Sequence, residues 1–261
     1  MSISSDDLHN IFPWPATRWL TRRSNLTFSC GRVFISAVYH EVNTGEFQGG
    51  YPMQKPLCGL CNNSFTDRGL TRHLQSCIPR YLGQYAPNPK EKTFHLHVYD
   101  AFNPEYFLHL AATGTTTLEE LDSFLRKIWL ECCGHLSEFT YGRRGDALSM
   151  SQKLFRVLNS GNELYHKYDF GDTTELIVRS RGLYPGVLQE TQAIHLLARN
   201  VQPPILCDRC GKAPAEVICT ECRWDGEGWY CSNCIKDHEC DEEMFLNVVN
   251  SPRTGVCGYN G

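Results

Sequence analysis

The chain has 261 residues, 41% of them hydrophobic, and a formal net charge of −4. That length can bury one good core plus smaller modules, and the acidic balance excludes a globally basic nucleic-acid binder. No apolar run approaches a membrane span, and the opening MSISSDDLHN has no basic segment followed by an apolar core, so no signal peptide is expected. The expectation is a cytoplasmic protein with reduced thiols and no membrane partner, in which paired cysteines point to zinc rather than disulfides.

Cysteine and charge are unevenly placed. Eight of the 14 cysteines fall in the last 55 residues. Residues 55–80 carry four basic side chains (Lys55, Arg68, Arg72, Arg80) against Asp67, whereas from residue 201 onward ten acidic residues face five basic ones. Two cysteine-rich regions of opposite sign suggest two different jobs.

In chain order, residues 1–54 read as a leader with one predicted strand over 32–40 and a turn-rich stretch, EVNTGEFQGG. A finger-like segment follows at 55–82. Cys58-x2-Cys61 precedes Phe65, Leu70, His73 and Cys77, a pattern similar to a C2H2 finger with cysteine as the last ligand, here C2HC. Eleven residues separate Cys61 from His73, one fewer than usual, so the entry to the helix RGLTRHLQSC must differ slightly. Arg68, Thr71, Arg72 and Gln75 would project from that helix, the type of position through which fingers read bases. A single finger serves equally as a stabilised mini-domain or protein contact. GQYAPNPKEK, with two prolines and no apolar periodicity, reads as a linker.

Residues 93–200 predict an α+β domain, a central mixed sheet with one main helix. FHLHVYDA and YFLHLAAT are strands separated by the turn signal Asn103-Pro104. Thr117 and Glu120 form a capping box, and Leu118, Leu121, Leu125 and Ile128 then mark one face of a helix ending near residue 132. HLSEFTYG is a strand, 152–158 a short helix, and ELYHKYDF and TELIVRS are strands joined by a turn in which Gly171 supplies backbone freedom and Asp172 the cap. AIHLLARN is the last strand.

Two clusters within this domain invite chemistry. Cys132-Cys133-Gly134-His135 sits at a helix C-terminus, where the dipole raises a thiol pKa, so small buried residues at a helix–strand junction are the favoured reading. His95 and His97 share one strand face and are read chiefly as solvent-facing, with a polar cleft alongside His135 or His166 as the sharper alternative. The DFG of YDFGD lacks every other kinase motif.

From 205 onward the pattern is Cys207-x2-Cys210, Cys219-x2-Cys222 and Cys231-x2-Cys234 with eight residues between successive pairs, then His238 three residues on. Each Cys-x2-Cys knuckle offers two thiolates to one tetrahedral zinc. Seven ligands cannot close two sites, so Cys240 or Cys257 must supply the eighth, with Cys257 favoured because the tail can fold back. Alternating use of the pairs, similar to B-box and related cross-brace modules, assigns Cys207, Cys210, Cys231 and Cys234 to one ion and Cys219, Cys222 and His238 to the other. With four ligands each, such sites are structural rather than catalytic. Together with the finger they predict three zinc ions.

Four motifs in order, CGLCNNSFTDRGLTRHLQSC, LDSFLRKIWLECCGHLSEFTYG, YHKYDFGDTTELIV and VVNSPRTGVCGY, resemble the plasmid pRiA4b ORF-3-like family, sometimes labelled insertion-element passenger proteins or TnpR. The resemblance spans residue 56 to the C-terminus and implies an α+β central domain with no settled biochemical function. Many relatives carry Trp-Glu-His after the glycine-aspartate turn, where this chain has Thr173-Thr174-Glu175-Leu176. No motif assembles the serine and arginine cluster of a resolvase. The leading reading is a non-enzymatic zinc protein that binds a protein or a nucleic acid. The alternative is a mobile-element accessory factor or enzyme using the central histidines with Asp169 or Asp172. No catalytic residue is assigned.

Overall fold

A computed structural model of the protein describes residues 54–84, 90–158, 161–188 and 192–261. These belong to one compact unit, Tyr51–Gly261. The leader before residue 54, with its predicted strand over 32–40, and linker residues 85–89 lie outside the described residues. Among the described residues no helix is long and apolar enough to cross a membrane.

The first described element is the finger helix, α1 (Asp67–Leu82). Thr66 caps it by accepting a hydrogen bond from the Gly69 amide at 3.2 Å, which satisfies one of the free N–H groups of the first turn. Leu70, Leu74, Cys77 and Ile78 recur at three- and four-residue steps and are all buried, so this helix has one committed face.

The α+β expectation holds for the central domain. Strands β1 (Lys92–Asp100), β2 (Phe107–Thr113), β3 (Ser137–Thr140), β4 (Glu163–Tyr168), β5 (Thr174–Pro185) and β6 (Ile194–Arg199) form one sheet in the order β3-β4-β5-β1-β2-β6. Every pairing in it is antiparallel. Alternation along each strand gives the sheet one predominantly apolar face and a second, mixed face that is apolar only in part. Phe94, Leu96, Val98, Leu108, Leu110, Leu164, Tyr168 and Val178 point to the first, and α2 (Leu118–Leu125) covers it with Leu118, Leu121 and Leu125. The capping box at its start is complete: Glu120 N donates to Thr117 Oγ1 at 3.2 Å, and Glu120 Oε2 accepts from Thr117 N at 2.7 Å. The helix is α-helical only through Leu125, not to residue 132; residues 126–130 make a π-helical turn. The wider turn places both Trp129 and Leu130 in the core, fully buried.

On the opposite face Phe107, Ala111, Leu197 and Ala198 receive Leu70, Leu74 and Ile78 of α1. The finger is thus the second cover of the sheet, pinned also by Gly59 N donating to Leu197 O at 2.7 Å.

The histidines of β1 are not solvent-facing. His95 and His109 are buried under α1, with His95 Nε2 to His109 Nδ1 at 2.9 Å, His97 stacked on His109 with ring centroids 4.5 Å apart, and Thr71 of α1 3.4 Å from His109 Nε2. They form no cleft with His135 or His166. His166 lies on the α2 face, bonded to Asp122 at 2.7 Å.

The turn after β4 also differs in detail. Asp169, not Gly171, takes the left-handed conformation (φ 67°), and its Oδ1 accepts from the Gly171 and Asp172 amides at 3.0 and 3.3 Å. An aspartate side chain can replace the backbone acceptor of a turn and tolerates this conformation, so the cap sits three residues before Asp172.

Burial, reinforced by the Arg181 guanidinium, pushes His95 down to about 4, and burial with Arg181 and His95 pushes His97 down to about 3. Both are therefore neutral in the native state, whereas the unfolded chain takes up these protons below its ordinary value of about 6.5. Stability is full above that value and falls as the pH drops toward the folded values, by about 1.4 kcal/mol per pH unit for each histidine. Urea unfolding between pH 7 and 5.5 with zinc present should show this slope, and His95→Phe should make it shallower. An equal slope in the variant contradicts the assignment.

Candidate metal centres

Among the described residues, four groups of cysteine and histidine come together, each with its ligand atoms within 4.8 Å of one another: Cys58, Cys61, His73 and Cys77; Cys207, Cys210, Cys231 and Cys234; Cys219, Cys222, His238 and Cys240; and Cys132, Cys133, His135 and Cys257. Zinc–sulfur bonds of about 2.3 Å at tetrahedral angles separate two thiolates by about 3.8 Å. The closest sulfurs match that spacing, at 3.9 Å for Cys58–Cys77, 3.6 Å for Cys222–Cys240 and 3.8 Å for Cys133–Cys257. A disulfide needs about 2.05 Å. The donor sets and spacings fit zinc or a similar thiophilic metal.

In the finger, the turn after Cys58 closes through Asn62 N to Cys58 O at 2.7 Å, with Asn62 in the left-handed region (φ 57°). His73 and Cys77, four residues apart on α1, project from the same face toward that turn. The His73 ring stacks on Phe65 at 4.0 Å, and its Nε2 lies 3.3 Å from Cys61 Sγ. Burial and the charges of Cys58 and Cys61 push the Cys77 thiol up to about 12. Gathered thiols resist ionising together, and a bound cation reverses that penalty.

The C-terminal pairs cross. Cys207 and Cys210 meet Cys231 and Cys234, while Cys219 and Cys222 meet His238 and Cys240. A three-stranded sheet, β7 (Val217–Cys219) between β8 (Trp229–Tyr230) and β9 (Phe245–Asn247), runs between the knuckles. Burial alone would raise the Cys207 thiol, but the backbone amides of Cys231, Cys210 and Arg209 outweigh it and bring it down to about 6. Amides converging on a sulfur are what a knuckle turn provides to a thiolate. In the second group the neighbouring Cys240 thiol drives Cys222 up to about 12. The His238 ring is held between Tyr230 and Phe245, with centroids at 4.5 and 5.6 Å.

Cys240, rather than the favoured Cys257, completes the second C-terminal group. The short 3-10 turn at Cys234–Asp237 ends in extended backbone at His238, which carries the chain past the Cys222 sulfur quickly enough for both His238 and Cys240 to reach it. Cys257 lies instead beside Cys133, at 3.8 Å, and His135 Nε2, at 3.2 Å. The reading of Cys132-Cys133-Gly134-His135 as small buried residues is therefore corrected: Cys133 is exposed, Cys132 half-buried, and both face other ligand-type side chains. The helix-dipole expectation also fails at Cys132. Burial raises its pKa, but the Arg253 guanidinium, with an Nη2 to Sγ distance of 3.5 Å, and the Tyr168 hydroxyl lower it further. A signal for this group was present in the arithmetic, since three four-ligand sets use twelve of the thirteen candidates and leave Cys257 over. Cys30 lies outside the described residues.

No family model matches the chain, and no curated protein matches it. A solved structure to which it is similar is that of a protein of unknown function, MM3350, from Methanosarcina mazei Go1, at 20% identity over 42% of this chain and 69% of that one, with a TM-score of 0.36.

The geometry distinguishes the two candidates for the last ligand. Cys240→Ser should lower amide-exchange protection of β7 and β9 roughly 100-fold, because their packing rests on the metal group. Cys257→Ser should lower it far less, mainly at Asn247, whose amide donates to Asn260 of the tail. Hydrogen exchange on the full chain measures both, and the reverse pattern contradicts the assignment.

Proposed function

We propose that the chain is a non-enzymatic zinc protein, an adaptor in which zinc ions hold the finger and the C-terminal module against an α+β domain that contacts a protein partner. Three ions are assigned here: one to Cys58, Cys61, His73 and Cys77, one to Cys207, Cys210, Cys231 and Cys234, and one to Cys219, Cys222, His238 and Cys240. The observation that carries this reading is that each group supplies four protein ligands. A closed tetrahedron stabilises a fold and leaves no position for substrate. Reduced thiols fit a cytoplasmic setting. On its four ordered sequence motifs, we also propose that the chain belongs with the plasmid pRiA4b ORF-3-like proteins.

The residues available to the enzyme alternative are engaged otherwise. Asp169 caps a turn and pairs with Arg253 at 2.6 Å, and His95 and His109 are buried beneath α1. A protein partner is favoured over nucleic acid because the acidic C-terminal module becomes more negative once thiolates bind zinc. One observation supports the nucleic-acid reading: Arg68, Arg72 and Gln75 are exposed on α1. Its Leu70, Leu74 and Ile78 face is buried on the sheet, which limits how the helix can enter a groove.

Binding of the full chain to a random-sequence duplex, measured at about 50 and 200 mM salt, separates the two. A protein-directed adaptor should show no salt-dependent affinity. Binding that weakens by 10-fold or more with salt and is lost in an Arg68→Glu/Arg72→Glu double variant would overturn the protein-partner reading.

A further inference from the structure

We propose that Cys132, Cys133, His135 and Cys257 form a fourth metal site, closed and suited to zinc(II), which locks the C-terminal tail onto the central domain. This rests on the zinc reading of the other three groups, although its geometry stands independently of them.

The ligands come from two distant places in the chain. Three are packed into four consecutive residues at the end of the π-helical turn, and the fourth is 122 residues beyond His135. The Cys132 and Cys133 sulfurs are 3.8 Å apart, as are those of Cys133 and Cys257, the tetrahedral edge for zinc thiolates of about 3.8 Å. His135 Nε2 stands 3.0 Å from Cys133 Sγ and 3.2 Å from Cys257 Sγ. For His135 to return to the sulfur of Cys133, the backbone between them must turn sharply. Gly134 does this in the left-handed region (φ 80°), with its amide held by Glu131 Oε1 at 2.6 Å. Cys257 is itself left-handed (φ 49°), followed by Gly258 (φ 68°). A non-glycine residue there is disfavoured and persists where its surroundings over-determine it. Cys257 is exposed, so core packing does not supply that constraint. A bond from its sulfur to a shared ion would.

Between the C-terminal module and Cys257, Asn250, Ser251 and Arg253 all reach the same end of the central domain. Asn250 exchanges hydrogen bonds with Asn200, Nδ2 to O at 2.9 Å and Oδ1 from Nδ2 at 2.8 Å, and its carbonyl accepts from Trp129 Nε1 at 3.0 Å. Ser251 Oγ donates to Trp129 O at 2.7 Å. Arg253 is fully buried and reaches the Asp172 carbonyl, Thr174 Oγ1, Asp169 Oδ2 and Cys132 Sγ. A guanidinium donating to a ligand sulfur is a typical outer partner of a thiolate site. Asp169 Oδ2 lies 3.3 Å from His135 Nε2, a contact that coordination through the same nitrogen would replace, leaving the carboxylate to Arg253. Gly255 is required for the final approach: it is left-handed (φ 74°), and an added Cβ would meet Ile218 Cδ1 at 2.5 Å. The tail after β9 is thus a latch, and the fourth group is its clasp.

The test uses the full-length native protein and zinc alone. The proposal expects four zinc ions per chain by elemental analysis, three in Cys257→Ser, and three in Cys133→Ser. Because a variant can misfold, a second measurement uses the wild type: Cys133 and Cys257 are exposed, yet should resist N-ethylmaleimide until a chelator is added. Three zinc ions with rapid alkylation of both thiols, or a Cys133–Cys257 disulfide by mass, overturns the fourth site while leaving the other three intact. Fewer than three zinc ions in the wild type overturns the underlying zinc reading as well.

Discussion

The C-terminal segment has only a small apolar core beside its ligands, chiefly Ala215, Ile218, Tyr230 and Tyr259. Its buried cluster consists of Cys207, Cys219, Tyr230 and Cys231, fringed chiefly by further ligand cysteines with Ala213, Ile235 and Phe245. Its strands are only two or three residues long. Apolar burial on that scale cannot offset the conformational entropy of ordering such a segment. On the proposed reading, zinc coordination supplies what that small core does not, about 10–16 kcal/mol of apparent binding free energy per site. The crossing of ligand pairs makes the two sites interdependent, because β7 lies between them and neither set is local in the chain.

The central domain has the opposite character. Its sheet has one apolar face and one mixed face and receives two covers, α2 from within the domain and α1 from the finger. This explains why the finger carries leucines at 70 and 74 and an isoleucine at 78 in addition to its ligands. It also explains the histidines: His95, His97 and His109 lie at the seam where α1 meets the sheet, and their depressed basicity follows from that burial. A finger docked in this way acts as a cover plate for the sheet.

Much of this was legible in the sequence. The finger set, the Cys207 set and three members of the Cys219 set could be read from spacing because metal knuckles impose fixed separations. Spacing leaves the last place open, with the fold-back of the tail favouring Cys257 over Cys240, and alternation alone does not show that the face bearing His95 and His97 is covered. The capping box at Thr117 and Glu120 formed as expected. The unread parts depend on contacts distant in the chain or on local backbone choices. Cys133 and Cys257 are 124 residues apart, and only the path of the tail brings them together. Asp169 replaced Gly171 as the left-handed residue because its own side chain closes the turn, an option that residue type alone does not reveal. The π-helical turn at 126–130 arises from the demand to bury both Trp129 and Leu130, which a helical repeat read from Leu118 to Ile128 does not register.

The measurement that bears most directly on the dependence of fold on coordination is refolding of the denatured, metal-stripped full chain with and without zinc(II), followed by amide exchange. Protection of Leu96 and Val98 in β1 should return in both conditions, whereas protection of Val217–Cys219 and Phe245–Asn247 should return only with zinc. Native protection of those two strands in metal-free protein would contradict it.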